Sequence, residues 1–188
     1  MRYIELDTPA LLIDRERLTK NLKDMQSYAD AHGVALRPHT KTHKCPEIAK
    51  LQLAAGACGI AVAKVGEAEA MAEAGLDDLF IANEIVGEAK LRRIAALAKR
   101  GVKLAFGVDT PCQVTAAESV FAQEGVSVPV LVEIEVGENR SGVIEESDFL
   151  ALLDTIRICP HVPFGGIFSH DGNSYSAPDL DALRALRS

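Results

Sequence analysis

PVLVEIEV, Pro129 to Val136, alternates. As an extended chain it sets Val130, Val132, Ile134 and Val136 on one face and Leu131, Glu133 and Glu135 on the other. A central strand of an open α/β sheet is normally apolar on both faces. An apolar face for helices combined with a polar face for a confined interior suits a barrel, with its site at the C-terminal mouth. VALRPHTK (34–41) divides the same way. Ala35, Arg37, His39 and Lys41 share one face, and Val34, Leu36, Pro38 and Thr40 share the other.

Outward from these two segments, the pattern repeats. Further strands are predicted at 59–65, 78–86, 103–109 and 164–171, with helices near 15–31, 46–55, 67–74, 87–100, 111–124 and 146–157. In the first helix Leu18, Leu22, Met25 and Ala29 form one apolar stripe. Thr110-Pro111-Cys112-Gln113 reads as an N-cap, a proline at the first helical position and a capping-box glutamine. Gly33, Gly56, Gly75, Gly101 and Gly125 fall where helices should end. Repeated βα units imply a parallel sheet, and the two-faced strands favour a barrel over a doubly wound sheet. Six strands fall short of the eight strands and about 250 residues of a closed barrel. The expected fold is therefore a parallel (β/α)8 TIM-type barrel, truncated to about six βα units. Residues 179–188, DLDALRALRS, read as the middle of a helix.

The composition is globular: 48% apolar and 25% charged residues in a chain of 188. A net charge of -7 argues against nucleic acid as a partner. No stretch is apolar for long enough to cross a bilayer, and the N-terminus carries acids where a signal peptide would be apolar. Cys45, Cys58, Cys112 and Cys159 are scattered without a CxxC pair, which suits reduced thiols in a cytoplasmic protein.

Against that acidic background, RPHTKTHK (37–44) places Arg37, Lys41, Lys44, His39 and His43 together. Other polar residues gather at predicted strand ends: Lys64 and Glu67, Asn83 and Glu84, Asp109, then Glu135, Asn139 and Arg140, then His170, Asp171, Asn173, Ser174 and Tyr175. In a (β/α) fold these converge on one mouth. Lys41 has the inward parity of Arg37 and His39, whereas Lys44 lies beyond the strand and should be solvated. A lysine held near other cations is a candidate amine nucleophile for Schiff-base chemistry. A phosphate-binding or salt-bridged lysine is the alternative.

The pieces DTPALLID (7–14), RPHTKTHK (37–44), VEIEVGENRSGV (132–143) and HDGNSY (170–175) occur in an order that resembles the fold-type III pyridoxal-phosphate enzymes. These are the alanine racemase-like barrels, and the chain looks most like their D-threonine aldolase and D-serine dehydratase branch. The resemblance implies that residues 1–188 are an incomplete N-terminal barrel domain whose C-terminal β-domain is absent. It implies that Lys41 forms the internal aldimine with pyridoxal 5'-phosphate. Arg140 would lie near the pyridine nitrogen or the substrate carboxylate, and His170 against the ring. Asn173, Ser174 and Tyr175 would line the cofactor pocket, and His39 would neighbour the imine. An arginine at the pyridine nitrogen makes the cofactor a weaker electron sink than an aspartate does.

The implied function is a lyase acting on D-3-hydroxy amino acids, by retro-aldol cleavage or by dehydration. It would use a divalent metal whose ligands lie in the C-terminal β-domain rather than in this chain, and its full-length form would be a homodimer. The alternatives are a non-catalytic or truncated cofactor-binding barrel, an amino-acid racemase, and a metal-dependent hydrolase built on His39, His43, His170 and Asp171. Glu133 and Glu135 could be an acid/base pair, or could simply answer Arg37, Arg140 or Lys64 across the interior. An open barrel would leave unpaired edges and exposed apolar faces, so the isolated chain is expected to be poorly soluble or to associate.

Overall fold

The computed structural model describes residues 3–186. Its helices are α1 (Arg15–Ala31), α2 (Pro46–Ala55), α3 (Val65–Glu73), α4 (Glu88–Lys99), α5 (Pro111–Glu124), α6 (Glu146–Arg157) and α7 (Leu180–Ala185). The strands are β1 (Ile60–Val62), β2 (Asp78–Glu84), β3 (Lys103–Val108), β4 (Val130–Ile134) and β5 (Phe164–Ser169). They form one parallel sheet in the order β1-β2-β3-β4-β5. A strand order that never reverses, joined by the right-handed crossovers usual for βαβ units, keeps every helix on the same side. That is the wall of a barrel; a doubly wound sheet changes direction at a switch point.

The strand faces follow the predicted parity. Ile60, Val62, Leu79, Ile81, Leu104, Phe106, Val108, Val130 and Val132 are buried in the main core with Leu91, Ile94, Val114, Phe121 and Leu152 from the helices. Phe106 meets Phe121 edge-on at 6.0 Å. On the other face Phe80 of β2 and Phe168 of β5 meet edge-on at 5.1 Å, across two intervening strands. Gly107 of β3 makes that contact possible, since a Cβ there would lie 2.8 Å from Phe168 Cζ.

The first predicted strand, 34–41, is not part of the sheet. It runs beside β1, with the Cys58 N–H donating to Leu36 O at 2.9 Å, the Ala61 N–H donating to Pro38 O at 2.8 Å, and a single parallel bridge from His39 to Ala61. Pro38 has no N–H to give, and at an edge with no second neighbour the ladder stops there. At the opposite edge, β5 leaves Ile167 59% exposed. The apolar stripe of α1 is only partly covered. Ala29 is buried, Leu18 and Leu22 are half-buried, and Met25 is 52% exposed.

The end signals hold. Asp14 Oδ1 accepts the Arg17 N–H at 3.0 Å, Thr110 and Gln113 form a complete capping box, and Gly125 ends α5 in the left-handed region at φ 65. The helix expected after 179 forms as α7 with Asp179 as its cap, while 187–188 lie outside the described residues. The four cysteines are free thiols, and no helix among the described residues is long and apolar enough to cross a membrane.

Candidate active site

Beyond His39 the chain makes a 3₁₀ turn, Thr40–Thr42. His39 Nδ1 accepts the Lys41 N–H at 3.2 Å, and buried Thr40 donates its hydroxyl to Ala61 O at 3.3 Å. The turn is thus capped by His39 and fastened at its start to the edge of the sheet through Ala61, and Lys41 projects from it, exposed. Because Nδ1 is the acceptor, the neutral His39 ring carries its proton on Nε2. Burial pushes the His39 imidazole below its ordinary value. The Lys41 charge adds to this, Glu67 opposes it and His170 adds again. Lys41, Glu67 and His170 are thus close enough for their charges to act on the His39 ring.

Lys44 is exposed as expected, yet its Nζ lies 3.7 Å from Glu67 Oε1. Glu67 Oε2 in turn accepts the Ala63 N–H at 2.8 Å, so the end of β1 is joined electrostatically to the turn that carries Lys41. Asn83 completes this side by donating Nδ2 to Ala63 O at 2.9 Å.

Arg140 is held by a built loop. Glu135 Oε1 accepts the N–H groups of Gly137 at 2.8 Å and Asn139 at 2.6 Å, and these contacts hold its carboxyl below the usual range. Val143 returns to β4, donating to Glu133 O at 2.8 Å. The Arg140 guanidinium then stands 3.4 Å from Glu138 and 3.9 Å from Glu133. Glu138 Oε2 also meets His170 Nδ1 at 2.7 Å. Arg140 and His170 are thus bridged by Glu138, a residue that sequence reasoning missed because a loop acid carries no periodic signal.

The remaining predicted residues differ in their placement. Asn173 Nδ2 donates to Val136 O at 2.8 Å and ties the loop after β5 to the loop after β4. Ser174 Oγ donates to Asp171 O at 2.6 Å, within its own turn. Tyr175 is 83% exposed and meets His170 edge-on at 6.2 Å. Glu135 serves its own loop rather than pairing with Glu133, and Arg37 pairs with Asp78 at 2.7 Å at the start of β2, so of the predicted cations it is Arg140 that Glu133 answers, at 3.9 Å. The partner of Glu133 is Glu84, whose carboxyl is pushed up to about 8 by burial, by the contact with Glu133 and by Asp109.

The metal-hydrolase alternative finds no support in the geometry. Among the described residues no three His, Cys, Asp or Glu side chains are grouped to hold an ion. His39 and His43 turn Nδ1 back to the N–H groups of Lys41 and Cys45, the latter at 3.0 Å. A primary amine, two imidazoles and a guanidinium at one mouth do fit an anionic cofactor that bears an aldehyde. The exposed Lys41 is free to condense, and Arg140 sits in contacts looser than hydrogen bonds, ready to meet a negative oxygen.

Known proteins share this architecture. The family described as alanine racemase, N-terminal domain, matches residues 13–186. A D-threonine aldolase from an Arthrobacter species is 44% identical over 168 residues, 89% of this chain and 44% of that protein. A D-threo-3-hydroxyaspartate dehydratase from a Delftia species is 37% identical over 97% of this chain and 48% of its own. The crystal structure of D-threonine aldolase from Filomicrobium marinum superposes with a TM-score of 0.93 at 38% identity, covering 98% of this chain and 49% of that one. The chain spans about half the length of the curated relatives it matches.

Proposed function

The chain belongs to the alanine racemase N-terminal domain family, and from that premise we propose that it is the pyridoxal-phosphate-binding barrel part of a lyase acting on D-3-hydroxy amino acids. The observation that carries this reading is the placement of Lys41, exposed on a His39-capped turn at the end of the extended segment beside β1. The names of the relatives support the substrate class, one cleaving a D-threonine-type bond and one dehydrating a 3-hydroxy-D-amino acid.

Pyridoxal phosphate, when bound, supplies an aldehyde that condenses with amines and a ring that draws electrons from the substrate's α-carbon. The rest is the work of side chains. Lys41 is the residue that would hold the cofactor covalently and, once released, take up or give a proton at Nζ. His39 stays uncharged and fixes the turn below Lys41. Arg140 answers an anionic oxygen, and His170, oriented by Glu138, lines the same mouth. Asn173 holds the two loops together; Ser174 and Tyr175 border the pocket. In the full-length enzyme, residues 1–188 form the N-terminal barrel domain, a divalent metal is held by ligands outside this chain, and the molecule is a cytoplasmic homodimer.

The test uses full-length protein mixed with pyridoxal phosphate, reduced with borohydride and mapped by mass spectrometry. A pyridoxyl adduct on Lys41 is expected. An adduct confined to other lysines, or none, overturns the assignment.

A further inference from the structure

Inside the barrel, below Arg140, two carboxyl groups meet. Glu133 points inward from β4 and is 3% exposed. Glu84 ends β2, and its Oε1 is fully buried without a donor. Two ionised carboxylates side by side would only repel, so one proton between them is what makes the contact tenable. The sheet builds the contact deliberately. An irregularity between Ile81 and Glu84 brings Glu84 level with Gly107, whose lack of a side chain leaves room for the Glu84 carboxyl. A Cβ on Gly107 would stand 3.1 Å from Glu84 Oε1.

Arg140 has two acidic neighbours, Glu133 at 3.9 Å and Glu138 at 3.4 Å. Both separations exceed a hydrogen bond, so the guanidinium is shared between them and locked to neither. We propose that Glu84 and Glu133 form a one-proton carboxyl pair that positions Arg140, and through it sets how tightly the mouth holds an anionic oxygen. This rests on the pyridoxal-phosphate reading only for the identity of the ligand. With the proton present, the pair carries one negative charge and Arg140 stays poised toward Glu138 and the mouth. When the proton leaves to solvent, the second charge draws the guanidinium inward and away from the ligand.

The groups that face the pair are Asp109 at the end of β3, whose charge opposes ionisation of Glu84, and Arg140. Beyond Arg140 stand Glu138 and His170, while His39, Lys41 and Glu67 border the β1 side. Asp109 is committed elsewhere: Oδ1 accepts Gln113 Nε2 at 2.8 Å, and Oδ2 accepts the Gly142 N–H at 3.3 Å. Glu84 and Glu133 are positioning residues; Arg140 is the group that meets the ligand.

The anionic oxygen belongs either to the cofactor or to the substrate carboxylate, and two arms of one experiment separate them. In cofactor-free full-length protein, carboxyl carbon NMR should show a Glu titration near pH 8. The Arg140 Nε resonance, assigned by its loss in Arg140→Lys, should follow that titration. In Glu84→Gln the Arg140 signal should stay constant. Glu133→Gln, a second variant should the first fold poorly, should also abolish the response.

If only the protonated pair is competent, the competent fraction falls about tenfold from pH 7 to pH 9, and affinity falls with it. That fall, measured against Glu84→Gln, should appear in the Kd for pyridoxal phosphate if Arg140 faces the cofactor. It should appear in KM for D-threonine if Arg140 faces the substrate. An Arg140 resonance indifferent to the Glu titration overturns the proposal, and so does coupling in the NMR with no step in either constant. Failure of the Lys41 adduct would instead overturn the functional reading, and the NMR arm would still stand.

Discussion

Gly142→Ala should damage both stability and the site, and the reason can be worked from the loop. Gly142 has φ +99, and an added Cβ would lie 2.7 Å from Glu135 N, 2.9 Å from Ile134 C and 3.1 Å from Glu133 O. All three neighbours are backbone atoms of β4 or its exit, which cannot swing aside as a side-chain tip can. The positive φ costs about 1–2 kcal/mol for a residue with a Cβ. The overlap adds about 1–3 kcal/mol, relieved only by lifting the loop off the strand. Gly101→Ala is the control. Gly101 has φ +84 but nothing within 4 Å of its added Cβ, so it should lose only the backbone component, about 1–2 kcal/mol. Urea unfolding of both variants isolates the overlap as the difference between them. Lifting the loop also breaks the Gly142 N–H contact with Asp109 and displaces Arg140, so Gly142→Ala alone should weaken pyridoxal-phosphate binding. Equal unfolding free energies within about 0.5 kcal/mol, with equal cofactor affinity, would refute the close approach of this loop to β4.

Glu84 has a native value raised from 4.5 to about 8, so the native state keeps a proton that the unfolded chain releases. Stability should therefore decline as pH rises through that window, and a Tm series in Glu84→Gln should be flatter than in wild type. Lys41→Ala should abolish the borohydride-trapped adduct, while urea unfolding stays within about 0.5 kcal/mol of wild type, because the side chain is exposed. Leu152→Ala, at a fully buried position on α6, should cost about 2–5 kcal/mol in the same unfolding assay.

Much of the fold was legible because strand parity and helix ends are local. The division of 129–136 into two faces is what β4 shows: Val130 and Val132 against the helices, Leu131 and Glu133 toward the interior. The capping box at Thr110 needed only four residues in sequence, and it formed. The failure at 34–41 is also physical. Alternation predicts that a segment can be extended; it does not supply the second neighbour that a strand with a proline lacks. That segment still delivers Lys41 to the mouth, because the end of an extended edge can place a side chain without a full ladder.

The site was harder to read because its decisive contacts join elements distant in sequence. Glu133 was visible as an inward acid, and Glu84 as a strand-end acid, but nothing local pairs them. Their meeting needs the irregular register of β2 on β3 and the room that Gly107 leaves beside the Glu84 carboxyl. Glu138 needs more still: a loop turned back by Glu135 and pinned by Asn173, so that one carboxylate reaches both Arg140 and His170. Parity along a strand specifies which way a side chain points, whereas register between strands specifies what it meets. The chemistry proposed here depends on the second kind of information: a lysine on a fastened turn is a nucleophile in many folds, and it is the arginine poised between two acids that would make this mouth selective for an anionic amino-acid adduct.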